Sequence, residues 1–171
     1  MSPADSLFER ILARRDAGRA RRAQALPIVK GAETIKELTP LGLLEWYLHP
    51  DIPGQLIRSI LSYVLEIPPG SRSGRLQHQG GIVHMVLQGE GWTLLDGTRH
   101  DWRERSCIAL PARPNGIIYQ HFNASDTIAA RLLVALPNVL EPLDVDMGAG
   151  FEVLEPAPEY RQLKAKATAN G

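Results

Sequence analysis

The chain has one cysteine, Cys107, among its 171 residues, so it cannot form an internal disulfide, and its thiol usage suits a reducing compartment. Charge of one sign is also lacking. Nineteen Lys and Arg face nineteen Asp and Glu, which removes any global pull toward nucleic acid or anionic lipid. No window approaches the roughly 18 uncharged apolar residues that span a bilayer, and no apolar stretch of signal-peptide length follows a basic region at the N-terminus. The expected location is cytoplasmic, with no membrane and no nucleic-acid partner. The chain lacks a phosphate-loop sequence, paired cysteines and a serine in a nucleophile elbow. Gly89-Glu-Gly91 is a turn pair without the third glycine of a dinucleotide fingerprint.

What is present is an ordinary globular composition, 44% hydrophobic against 22% charged. Residues 4 to about 25 read as a helix, with Leu7, Phe8, Ile11 and Leu12 on one stripe and arginines over the remainder. No aromatic residues interleave with those arginines, so the basic face reads as solvated rather than as a nucleic-acid arm. The helix is expected to pack against the main body or a partner. From Leu41 the period shortens. Strands are expected at Leu43 to His49, Ile57 to Ile67, Ile82 to Gln88, Trp92 to Asp96, Ser106 to Leu110, Gly116 to Phe122 and Thr127 to Leu136.

In the second of these, Ile57, Leu61, Tyr63, Leu65 and Ile67 share one face by parity. Asp96-Gly97 is a hairpin signal, because both central positions of the favoured two-residue turn need positive φ. Many short strands without helical spacing between them indicate an all-β antiparallel sandwich or barrel. The expected organisation is an N-terminal helical arm at 1–40, a barrel at 41–140 and a C-terminal extension at 141–171, with 155–171 as a partly mobile tail. Cys107, in the apolar run Ser106-Cys-Ile-Ala-Leu110, reads as a buried strand thiol. Trp46, Tyr47, Trp92 and Trp102 read as packing residues, His49 as a strand-end residue and His100 as a surface residue.

Two blocks carry the chemistry. One runs from Gly74-Arg-Leu-Gln-His78 to Gly89-Glu-Gly91, the other from Pro111 to Tyr119-Gln-His121-Phe-Asn123. With Pro68-Pro-Gly70 and Asp96-Gly97, they are similar to small single-domain cupins, and among these the chain resembles proteins related to the gentisate dioxygenase group. The resemblance covers roughly residues 43 to 137. It implies a jelly-roll barrel (a double-stranded β-helix), a metal-dependent dioxygenase-like or lyase-like activity, and a homodimer whose interface candidates are the basic helix and the Leu43 to His49 strand.

In metal-binding cupins the ligands are three histidines and a glutamate. Counted onto this chain, those positions hold Leu76, His78, Ile82 and Tyr119, so only His78 matches. A displaced set stands beside them. His84 lies two residues beyond Ile82 and His121 two beyond Tyr119, so each keeps the inward parity of its strand.

Two readings of His78, His84, Tyr119 and His121 stay open. In the first, His78, His84 and His121 hold one divalent ion (Fe, Zn, Mn or Ni), with Tyr119 as phenolate ligand or general base. In the second, the four line the barrel as hydrogen-bonded polar groups around a small organic molecule, or simply fill the core, in a metal-free binding or sensory protein. A two-residue step along a strand is about 6.6 Å, long against metal–nitrogen bonds of about 2.0 to 2.1 Å. Arg75, Gln77, Arg113 and Gln120 are candidates to recognise a carboxylate at the mouth.

Overall fold

A computed structural model of the chain describes residues 6–55, 57–138 and 151–169. A helix, α1 (Leu7–Gln24), precedes β1 (Ile35–Thr39), β2 (Gly42–Leu48), β3 (Ile60–Ile67), β4 (Arg75–His78), β5 (Ile82–Gln88) and β6 (Glu90–Leu95). Then follow β7 (Thr98–Arg103), β8 (Cys107–Leu110), β9 (Ile117–Asn123), β10 (Ala130–Pro137), β11 (Phe151–Glu155) and a second helix, α2 (Pro158–Ala169). Six strands form one antiparallel sheet in the order β1-β2-β3-β10-β5-β8, and five form the other in the order β11-β4-β9-β6-β7. From β4 to β10 the chain passes back and forth between the sheets, except at β6 and β7, which form a hairpin within the smaller sheet. The inner faces meet to make one core.

Alternation explains which side chains fill that core. Leu61, Tyr63, Leu65 and Ile67 of β3 point inward as their parity predicts, whereas Ile57 precedes the strand and is exposed. Ile82, His84 and Val86 of β5 alternate with exposed Val83, Met85 and Leu87. Asp96 and Gly97 both adopt positive φ, 48° and 84°, in the turn that joins β6 to β7. Trp46 stands edge-on to Tyr63 and donates its indole N–H to Glu37, while Tyr47 donates to Glu45.

Three expectations need correction. Cys107 is exposed, because β8 is an edge strand whose alternation turns Ile108 and Leu110 inward and Cys107 and Ala109 outward. Residues 155–169 are not a loose tail. Strand β11 pairs with β4, Ala157 is fully buried with its N–H bonded to the Pro40 carbonyl, and α2 follows directly. The segment expected to be only an arm contributes β1 to the larger sheet. Of the two packing partners expected for helix α1, the barrel does not cover Leu7, Phe8 and Ile11, which are exposed in the single chain. The expected boundary at 140 and the expected helix start at residue 4 lie outside the described residues. Among the described residues, no helix is long and apolar enough to cross a membrane.

Candidate functional site: a buried histidine row

Strands from both sheets bring three histidines together. His84 comes from β5 of the larger sheet, His121 from β9 and His78 from the end of β4, in the smaller one. All three are buried. The Nε2 atoms of His84 and His121 are 3.4 Å apart, with the rings at 64° and their centroids 4.7 Å apart. Tyr119, two residues before His121 on the same inward face, stands 5.4 Å from His121 and 6.0 Å from His84, centroid to centroid. The period-2 parity read from the sequence therefore places His84, Tyr119 and His121 side by side.

The row continues beyond the histidines. Thr93 of β6 pairs directly with His121 across the sheet, and its Oγ1 lies 2.7 Å from His121 Nδ1. Trp102 of β7 donates its indole N–H to the same Oγ1 at 3.0 Å. An indole can only donate, so Thr93 accepts from Trp102. Two proton arrangements satisfy the rest of the row. In one, Thr93 donates to His121 Nδ1, His121 Nε2 donates to His84 Nε2, and His84 carries its proton on Nδ1. In the other every donor and acceptor beyond Trp102 exchanges roles, and His84 Nδ1 presents a lone pair. His84 Nδ1 is the open end of the row, buried with no hydrogen-bond partner among the described residues.

Electrostatics keep the row uncharged. Burial lowers the pKa of His121 from its ordinary 6.5 to about 4. Burial, then the positive charges that His121 and His78 would carry, hold His84 well below 6.5. Burial also lowers His78, whose Nδ1 accepts the Gly80 N–H at 2.8 Å. The Tyr119 phenol is pushed well above its ordinary value by burial and by nearby Tyr63. With no ion beside it the phenol stays protonated at physiological pH.

The family's ligand positions, as this chain fills them, do not make a divalent-metal site. The positions counted from the family motif hold buried Leu76, Ile82 and Tyr119 beside His78. In the displaced set, Thr93 and Gly80 hold the Nδ1 atoms of His121 and His78, which leaves Nε2 as the ligating position, and His121 Nε2 is bonded to His84 Nε2 instead. No group of three or more His, Cys, Asp or Glu among the described residues is placed to hold an ion.

A cleft of about 450 Å³ opens between the edge strands β7 and β8, lined in part by Thr93, Leu95, His100, Trp102, Ile108 and Leu110. Thr93 and Trp102 thus belong both to the cleft and to the row. Neither stood out in the sequence as a site residue; the signal was the inward parity of Thr93 in β6 and the indole N–H of Trp102, which needs an acceptor once buried. His100, expected at the surface, is exposed yet borders this cleft. The proposed carboxylate-binding side chains stand elsewhere. Arg113 is paired with Asp96 at 2.6 Å. Arg75 and Gln120 line a different groove, and Gln120 donates to the Ser73 carbonyl. Asp101 is the one charged side chain of the cleft and is held by Arg99 at 2.8 Å.

Comparison with solved structures places the barrel. A cupin-like protein of Thermotoga maritima superposes with a TM-score of 0.50 at 14% identity, over 77% of this chain and 90% of the other. A protein of Photorhabdus luminescens gives 0.52 at 12% identity, over 70% and 92%. No protein-family model matches the chain, and no curated protein does. The protein is a small cupin-fold barrel with an N-terminal helix, and these likenesses carry the fold alone.

Proposed function

We propose that this cupin-fold protein binds a small, uncharged, partly apolar molecule bearing a hydrogen-bonding group in the β7–β8 cleft, and does so without a resident metal. The observation that carries the reading is the double membership of Thr93, which lines the cleft and is bonded to both Trp102 and His121. The cleft lining combines apolar Leu95, Ile108 and Leu110 with polar His100, Asp101 and Ser106. Among the described residues no lysine or arginine lines it, and a buried neutral row offers hydrogen bonds rather than charge. Both features favour an alcohol, phenol or amide over the carboxylate that Arg75, Gln77, Arg113 and Gln120 were candidates to recognise. A binding or sensory role suits this donor set better than a dioxygenase-like or lyase-like one.

Thermal-shift and calorimetric titration with a panel of neutral phenols, alcohols and amides, set against small carboxylates, tests the reading. At least one neutral compound should raise the melting temperature of the native protein and lose that effect in Ile108→Trp, which fills the cleft from a half-buried position. Stabilisation by carboxylates alone, or stabilisation that survives Ile108→Trp, would overturn it.

A further inference from the structure

The described strands leave four sheet edges, β1 and β8 of the larger sheet and β11 and β7 of the smaller one. An open edge is a row of unpaired N–H and C=O groups, and charged side chains along it keep other strands away. Three of the four are protected in this way: β1 by Lys36 and Glu37, β7 by Arg99, Asp101 and Arg103, and β11 by Glu152 and Glu155. Strand β8, Cys107-Ile-Ala-Leu110, carries no charged residue.

Register identifies the open groups of β8. The Val86 N–H bonds the Ser106 carbonyl, and the pairing continues with His84 against Ile108 and Ile82 against Leu110. Hydrogen-bonded pairs alternate along an antiparallel ladder, so Ser106, Ile108 and Leu110 turn their backbone groups to β5, and Cys107 and Ala109 turn theirs away. Among the described residues nothing bonds the N–H or C=O of either one. The same row faces the cleft. Every residue from Ser106 to Leu110 lines it, those pointing inward and those pointing outward alike. Side chains of both faces of a strand border one space where that space runs along the strand's edge. Apolar surface flanks the row on both sides, with Leu95, Trp102 and Ile108 within the cleft and exposed Val83 and Met85 opposite Ala109 and Cys107 outside.

We infer, on the reading of this cleft as a neutral-ligand site, that its ligand is a short, extended, uncharged peptide that adds a strand to β8. The peptide backbone meets the N–H and C=O groups of Cys107 and Ala109. Alternate peptide side chains enter the cleft beside Ile108 and Leu110, and the others lie over the outer face beside Val83 and Met85. At about 3.4 Å per residue the four residues of β8 span about 14 Å, the length of three or four extended peptide residues. A chain of secondary amides supplies donors and acceptors at the spacing of this row.

The test uses the full chain and a capped tripeptide, N-acetyl-valyl-isoleucyl-valine amide, with a set of twins each N-methylated at one residue. Calorimetric titration gives the affinities, and amide hydrogen exchange followed by NMR gives the site. The peptide is expected to bind and to slow exchange at Cys107 and Ala109, which exchange fast in the free protein, with Ile108 protected throughout by β5. N-methylation at a residue facing β8 is expected to weaken binding at least about fivefold, and methylation at the next residue along to change it less than about twofold. Ala109→Pro removes an outward N–H from an edge strand and is expected to weaken peptide binding likewise; if that variant does not fold, the N-methyl series decides alone. Equal affinity of all the peptides, or a bound peptide that leaves exchange at Cys107 and Ala109 unchanged, would overturn the inference. So would exchange at those amides that slows with protein concentration and no peptide, because a second copy would then hold the edge. Neutral phenols that bind where the peptide does not would overturn this inference alone, whereas no binding by either would overturn the neutral-ligand reading as well.

Discussion

His84 and His121 meet from opposite sheets with their Nε2 atoms 3.4 Å apart, and among the described residues neither has a carboxylate partner. Two imidazoles so placed can share one proton but cannot both be charged, since desolvation and mutual repulsion act in the same direction. The pair joins the sheets through the core. It also fixes which nitrogen of each ring is available.

The first consequence concerns acid stability. An unfolded histidine takes up its proton near pH 6.5, whereas folded His121 does so only near pH 4. The unfolded state therefore binds more protons across this window, and stability is full above pH 6.5 and falls as pH drops toward 4. His121 alone accounts for about 3 kcal/mol of that loss. Urea unfolding at successive pH values should show this slope, and His121→Gln should flatten it.

Thr93 is the hinge of the row. Thr93→Val keeps the shape but leaves the Trp102 N–H and His121 Nδ1 without their shared partner. Two buried polar groups unsatisfied at about 1–3 kcal/mol each predict a loss of about 2–6 kcal/mol in urea unfolding. Thr93→Ser, which keeps the hydroxyl, should recover most of it.

Gly91 holds Trp102 in place by having no side chain. A Cβ there would meet the Phe122 carbonyl and come within 2.7 Å and 2.8 Å of the Trp102 ring carbons. Gly91→Ala should destabilise the barrel by about 1–3 kcal/mol or more. It should also change the near-ultraviolet circular dichroism of Trp102, as the indole leaves Thr93. A mutant with native stability and native tryptophan signal would contradict the packing described.

Much of this site could be read along the chain because strand parity is local. His84 follows Ile82 by two, and His121 follows Tyr119 by two, so their inward direction needed no partner strand. The Asp96-Gly97 turn was legible for the same reason, since the φ requirement is intrinsic to the turn. What escaped depends on non-local register. Thr93 faces His121 only because β6 pairs with β9. Trp102 reaches Thr93 only because β7 pairs with β6. Cys107 was misjudged because an apolar run does not reveal whether its strand is central or at an edge. Strand β11 was missed because Pro156 and Pro158 suggested a loose tail, whereas they frame buried Ala157.

The central claim is that the row acts as a neutral hydrogen-bonding wall without a resident ion. Elemental analysis of untagged protein for Fe, Zn, Mn and Ni, on native chain and on His84→Ala and His121→Ala, tests it most directly. The account predicts substoichiometric metal in the native protein and no change in either variant. One equivalent of a divalent metal in the native protein, lost on substitution of His84 or His121, would contradict it.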